Sequence, residues 1–109
     1  MSVFEIFVDR AALSSAIYRH RARSSYKTVN LVAVAAMGEL GFWNPPPGDK
    51  SRTASTPVNV AAAGSVKVGV KFLRGVVVMT SGDTIHLQVR DGRLYMRCGD
   101  DTASTPLLS

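Results

Sequence analysis

Two stretches of this chain run through the same cycle: a short alternating strand, a basic amphipathic helix, then strands closed by tight turns. In the first, Phe4, Ile6 and Val8 recur at period two, and the apolar spacing changes to that of a helix at Asp9. An Asp at such a boundary accepts backbone N–H groups that the first helical turn leaves unpaired. In the second, Val66 and Val68 lead into Val70–Met79 and then into a hairpin over Thr84–Cys98, turned at Asp91-Gly92. The copies span residues 3–61 and 65–107 of one 109-residue domain. A duplicated β-α-β-β-β unit predicts an α+β fold in which the copies lie side by side, with two helices on one face of a continuous antiparallel sheet.

The periodicities set the faces. On the first helix Leu13, Ala16, Ile17 and His20 form one stripe, the spacing of a helix laid on a sheet. On the second, Phe72, Leu73, Val76 and Val77 face the core and leave Lys71 and Arg74 exposed; its valines and Gly75 make it a poor helix on its own, so packing must hold it. Thr28 to Met37 reads as a strand pairing with Leu40 to Asn44 across a turn at Gly38. The segment 44–56, with its proline run and Asp49, Lys50, Ser51 and Arg52, reads as a mobile surface loop. A strand over Val58–Ala61 follows, which Pro57 either places at an edge or makes start late. Ile85, Leu87 and Val89 alternate with polar residues; Leu94, Met96 and Cys98 return on the same apolar face, and Thr102 to Leu107 closes the sheet.

With 46% hydrophobic residues the chain has enough apolar mass for a core without metal or disulfide. Cys98, the only cysteine, reads as a buried inert thiol in a reducing, cytoplasmic compartment. The longest apolar run, Leu31 to Met37, is too short to cross a bilayer. Thirteen Lys and Arg against eight Asp and Glu give a formal charge of +5, which a polyanionic partner would explain, as would a plain solvated surface. Placement favours the first: Arg10, Arg19, Arg21, Arg23 and Lys27 crowd the first helix and its exit, Lys67, Lys71 and Arg74 surround the second, and the acids sit mostly in turns.

Nothing points to catalysis. His20 lies on a packing stripe and His86 faces outward from a strand; no Cys/His cluster has metal-ligand spacing, and neither a phosphate-binding GxxxxGK[ST] loop nor a GxSxG nucleophile motif occurs. The chain reads as a non-enzyme with no cofactor. Phe42 and Trp43 read as a cover over the end of the core ahead of an anchor for a partner peptide or neighbouring subunit, and Tyr18 as half-buried ahead of a stack near a phosphate or sugar.

Several segments carry a family resemblance. The opening Phe4-Glu5-Ile6-Phe7-Val8-Asp9-Arg10, the spacing of Leu13 and Ile17, Asn30 before an apolar strand, Gly64-Ser65-Val66-Lys67-Val68, Asp91 through Gly99, and Ser104-Thr105-Pro106 occur in an order that resembles one domain of a bacterial DNA polymerase III beta sliding clamp. The likeness runs from residue 3 to 107. It implies a ring around duplex DNA with sheets outside and helices lining the hole, and a polymerase or other replication or repair protein as client. Family members close the ring with three domains per chain and two chains, so one domain per chain implies a homo-oligomer of six copies joined edge to edge. By position, the resemblance assigns DNA contact to Arg10 and to Arg21 and Arg23 on the first helix and to Lys71 and Arg74 on the second; Arg19, in the same basic cluster, joins them as a candidate. The chain departs from the family in being basic, and the family's peptide groove lies between domains that this sequence lacks. Two functions follow: a processivity factor that encircles DNA, or a clamp-fold protein-interaction module without ring closure.

Overall fold

A computed structural model describes residues 4–45, 51–80 and 82–108. The elements run β1 (Glu5–Asp9), α1 (Arg10–Arg23), β2 (Thr28–Val34), β3 (Glu39–Trp43), β4 (Arg52–Pro57), β5 (Asn59–Ala62), β6 (Gly64–Gly69), α2 (Val70–Met79), β7 (Thr84–Arg90), β8 (Arg93–Cys98) and β9 (Asp101–Pro106). Asp9 caps α1 as its position predicts, its carboxylate accepting from the Ala12 N–H at 3.0 Å. Asp91 and Gly92 both have positive φ, 51° and 74°, the geometry that lets a two-residue turn match the twist of its strands.

The α+β class and the two helices are as the repeat predicts, but the single continuous sheet is not. Hydrogen bonding divides the strands into a five-stranded sheet, β5-β1-β7-β8-β9, and a four-stranded sheet, β4-β3-β2-β6, with every pairing antiparallel. The division follows from an exchange. The leading strand of the first copy, β1, pairs with β7 of the second copy, and β6 of the second pairs with β2 of the first. Each helix therefore carries the chain from one sheet to the other. The four strands β6-β2-β3-β4 repeat the arrangement β1-β7-β8-β9, and β4 and β9 occupy equivalent outer places.

The core is common to both sheets and both helices. Phe4, Ile6, Val8, Ile85, Leu87, Leu94 and Met96 from one sheet meet Val29, Leu31, Leu40, Phe42, Val66 and Val68 from the other, with Leu13, Ala16, Ile17, Leu73 and Val76 supplied by the helices. Cys98 is buried among them. Beyond the sheets, the Leu107 N–H donates to the Gly92 carbonyl and the Leu108 N–H to the Lys67 carbonyl, so the end of the chain ties the β7–β8 turn to β6.

Three local expectations are corrected. Residues 52–56, read as part of a mobile loop, form β4 together with Pro57, with Thr53, Ala54 and Thr56 buried; residues 46–50 of that loop lie outside the described residues. Threonines satisfy a half-buried strand because their hydroxyls bond locally, and the Thr53 hydroxyl donates to the Phe42 carbonyl at 3.2 Å. The strand after Thr28 ends at Val34 because Met37 and Gly38 turn back onto the Val34 and Ala35 carbonyls. Tyr18 is 75% exposed rather than half-buried, since it falls outside the packing stripe of α1.

Candidate nucleic-acid interface

The two helices run side by side in opposite directions. At one end the Arg10 N–H donates to the Asp83 carbonyl, placing the start of α1 beside the chain just past α2; at the other the Val70 N–H donates to the Lys27 carbonyl at 2.9 Å, placing the exit of α1 beside the start of α2. Between them the helices hold six of the thirteen Lys and Arg and none of the eight acids. The rest of the chain is close to neutral, so the net charge resides on the helical layer.

The exit of α1 and the start of α2 enclose a cleft of about 510 Å³ lined by His20, Arg21, Ser24, Ser25, Tyr26, Lys27, Val70, Lys71 and Arg74. Arg21, Lys27, Lys71 and Arg74 are exposed, and among the described residues no carboxylate lines the cleft. Lys71 and Arg74 stand in the first two turns of α2, where the helix dipole already places positive charge. Gly69 at its N-cap provides no side-chain acceptor. An acidic or hydroxyl cap would have relieved this repulsion; its absence leaves a concentrated positive potential of the kind that attracts phosphate.

The six predicted contacts do not form one patch. Arg21, Lys71 and Arg74 share the cleft. Arg19 and Arg23 lie along β4: Arg19 donates to the Ser15 hydroxyl and the Ser55 carbonyl, both at 2.7 Å, and Arg23 to the Thr53 carbonyl at 2.8 Å. With Arg52 they line a separate cleft of about 400 Å³. Arg10 stands at the far end, its Nε donating to the Gly82 carbonyl at 2.9 Å and its Nη1 reaching the Val77 carbonyl at 3.5 Å, a clasp between the start of α1 and the end of α2. Lys27 completes the cleft although it lies outside the helix; its place at the exit of a basic helix is the signal for it.

His20 forms the floor. It is almost fully buried, its Nδ1 shares a hydrogen bond with the Thr53 hydroxyl, and its Nε2 has no partner among the described residues. Burial lowers its pKa from the ordinary 6.5, because the imidazolium would lose its hydration there. A neutral ring keeps a fifth charge out of the cleft.

No family model matches the chain, and no curated protein matches it. Solved structures do. The beta clamp of Helicobacter pylori, in a complex with carprofen, superposes with a TM-score of 0.73 at 16% identity over 95% of this chain and 29% of that one. The DNA polymerase sliding clamp of Bacillus subtilis gives 0.71 at 15% identity over 96% and 31%, and the DNA polymerase III subunit beta of Pseudomonas aeruginosa 0.72 at 16% over 96% and 30%. The fold is that of one sliding-clamp domain. The chain spans about three tenths of the length of each of these clamps.

In this clamp-fold domain the two outer strands share a feature that the repeat alone does not disclose. β4 reads Arg-Thr-Ala-Ser-Thr-Pro and β9 reads Asp-Thr-Ala-Ser-Thr-Pro, so residues 53–57 and 102–106 are identical, and each is an outer strand of its sheet among the described residues. The edges differ in charge. Arg19, Arg23 and Arg52 flank β4, whereas Asp100 and Asp101 open β9. Among the described residues no group of His, Cys, Asp and Glu is placed to hold a metal ion, and no helix is long and apolar enough to cross a membrane.

Proposed function

We propose that this clamp domain is a non-catalytic DNA tether, assembled from single-domain subunits into a ring around duplex DNA with α1 and α2 turned inward. The observation that carries the reading is the acid-free helical layer with Arg21, Lys27, Lys71 and Arg74 exposed around one cleft. Such cations engage phosphates without reading bases, so a ring could travel along the duplex while remaining attached. The outer edges of β4 and β9, on which no further strand pairs among the described residues, are alike in sequence and opposite in flanking charge. They would supply a head-to-tail contact that repeats around a closed ring once Arg19 and Arg23 release the Ser55 and Thr53 carbonyls. Arg10, Arg19 and Arg23 serve this reading differently: Arg10 holds the helices together, and Arg19 and Arg23 stand near the β4 edge. A polymerase or another replication or repair protein would be the client of the assembled ring.

Retention on circular against linearised plasmid is the direct test, with native mass spectrometry giving the subunit number. A hexamer held on the circle and released on linearisation supports the ring. A monomer without affinity for either form overturns it and leaves a clamp-fold protein-interaction module.

A further inference from the structure

The face of the five-stranded sheet turned away from the core carries a second, separate array. Register places Phe7, His86, Arg97 and Thr102 in one cross-strand row, Glu5, Gln88, Tyr95 and Ser104 in the next, and Arg90 beside Arg93 in a third. The inward residues of these strands, among them Ile6, Leu87 and Met96, belong to the core, so among the described residues this outer face has no protein layer over it. Three arginines stand here. Of the acids on the strands of this face, Glu5 bonds His86 at 2.7 Å and Asp9, at the end of its strand, caps α1; Asp91 stands beyond them in the turn between Arg90 and Arg93.

Flat groups are interleaved with the charges. The Arg90 guanidinium lies over the Tyr95 ring, 4.4 Å from its centroid, and Phe7 stacks on His86 with centroids 4.4 Å apart and planes 9° from parallel. Phe7 is 38% exposed. Arg93 is steadied by the Ser104 hydroxyl at 3.0 Å, while Arg97 is exposed and has no such tether among the described residues. Between them His86, Gln88, Arg90, Tyr95, Arg97 and Thr102 border a depression of about 250 Å³.

We infer that this sheet face binds single-stranded nucleic acid, with Arg90, Arg93 and Arg97 on phosphates and the aromatic rings under unpaired bases. A duplex hides its base faces inside the stack and would meet only the charges. An unpaired strand exposes both components to a sheet whose strands lie about 4.8 Å apart. The positive charge of the face also suits an acidic peptide, but such a peptide makes no use of the stacked rings.

Fluorescence anisotropy with a labelled oligothymidylate of about twenty nucleotides tests the inference. The full chain should bind it with a log–log salt slope of about −2, the value for three phosphates on a single strand. Tyr95→Ala and Arg90→Ala should each weaken it roughly tenfold. Arg97→Glu, at an exposed position, should do the same while circular dichroism stays unchanged. Alanines at Arg21, Lys71 and Arg74 should leave this binding intact while lowering duplex retention, which separates failure of this inference from failure of the ring. No oligothymidylate binding by the wild type, wild-type affinity in all three sheet variants, or binding of a polyglutamate peptide in place of the oligonucleotide overturns it.

Discussion

Two buried contacts make single-residue expectations sharp. A β-carbon added at Gly82 would lie 2.8 Å from the Cys98 sulfur, so Gly82→Ala should cost about 1–3 kcal/mol of unfolding free energy in urea. Adding Cys98→Ala should recover part of that stability, because it removes the atom in the way. Thr53→Val leaves a nitrogen of buried His20 unpaired and should cost about 1–3 kcal/mol by the same measurement. The acid sensitivity of His20 has a definite sign. Its folded pKa lies below the ordinary 6.5 that it regains on unfolding, so the unfolded chain binds more protons as pH falls. Its contribution to stability is complete above pH 6.5 and declines below it, toward the folded value. The urea midpoint should therefore fall between about pH 7 and pH 5, and less so in His20→Leu.

Among the elements, α2 is the least self-sufficient. Gly75 has open space where a β-carbon would stand, so Gly75→Ala should raise stability by about 0.5–1 kcal/mol. Gly69→Asp should cap the helix, worth only a few tenths of a kcal/mol, yet weaken duplex retention by placing a carboxylate beside Lys71 and Arg74. The helices and the β7–β8 hairpin were legible in the sequence because their periods and the Asp91-Gly92 turn are local signals. All four residues of the α1 stripe are buried as their spacing predicts. β4 was not legible, since a polar Thr-Ala-Ser-Thr segment after a proline run has the composition of a loop and gains burial only from α1 and β3. The split into two sheets escaped for a related reason: the exchange of β1 and β6 joins residues far apart in the chain, and no local period reports it. The cleft was half legible. Charge clustering located the helices, but backbone carbonyls that engage Arg10, Arg19 and Arg23 become visible only in the fold.

For the proposed ring, the β4 and β9 edges predict a complementation experiment. Reversing Asp100 and Asp101 to Lys should reduce assembly to small species, as should reversing Arg19 and Arg52 to Glu. An equimolar mixture should restore the ring, alternating native and inverted contacts, as read by analytical ultracentrifugation. Failure of the mixture to assemble, with both variants folded, would place the contact elsewhere. Duplex retention should fall when Arg21, Lys27, Lys71 and Arg74 are changed to Glu, with the salt slope reduced by about 0.9 for each phosphate that is no longer neutralised. The exchanged leading strands carry a further consequence for how the chain is made. As it leaves the ribosome, the four-stranded sheet can close once β6 has emerged, while β1, the earliest strand out, still awaits β7. The first strand born can gain β5 on one side early, but its other side stays open until β7 emerges, and β6 finds its partner β2 only in the other half of the repeat.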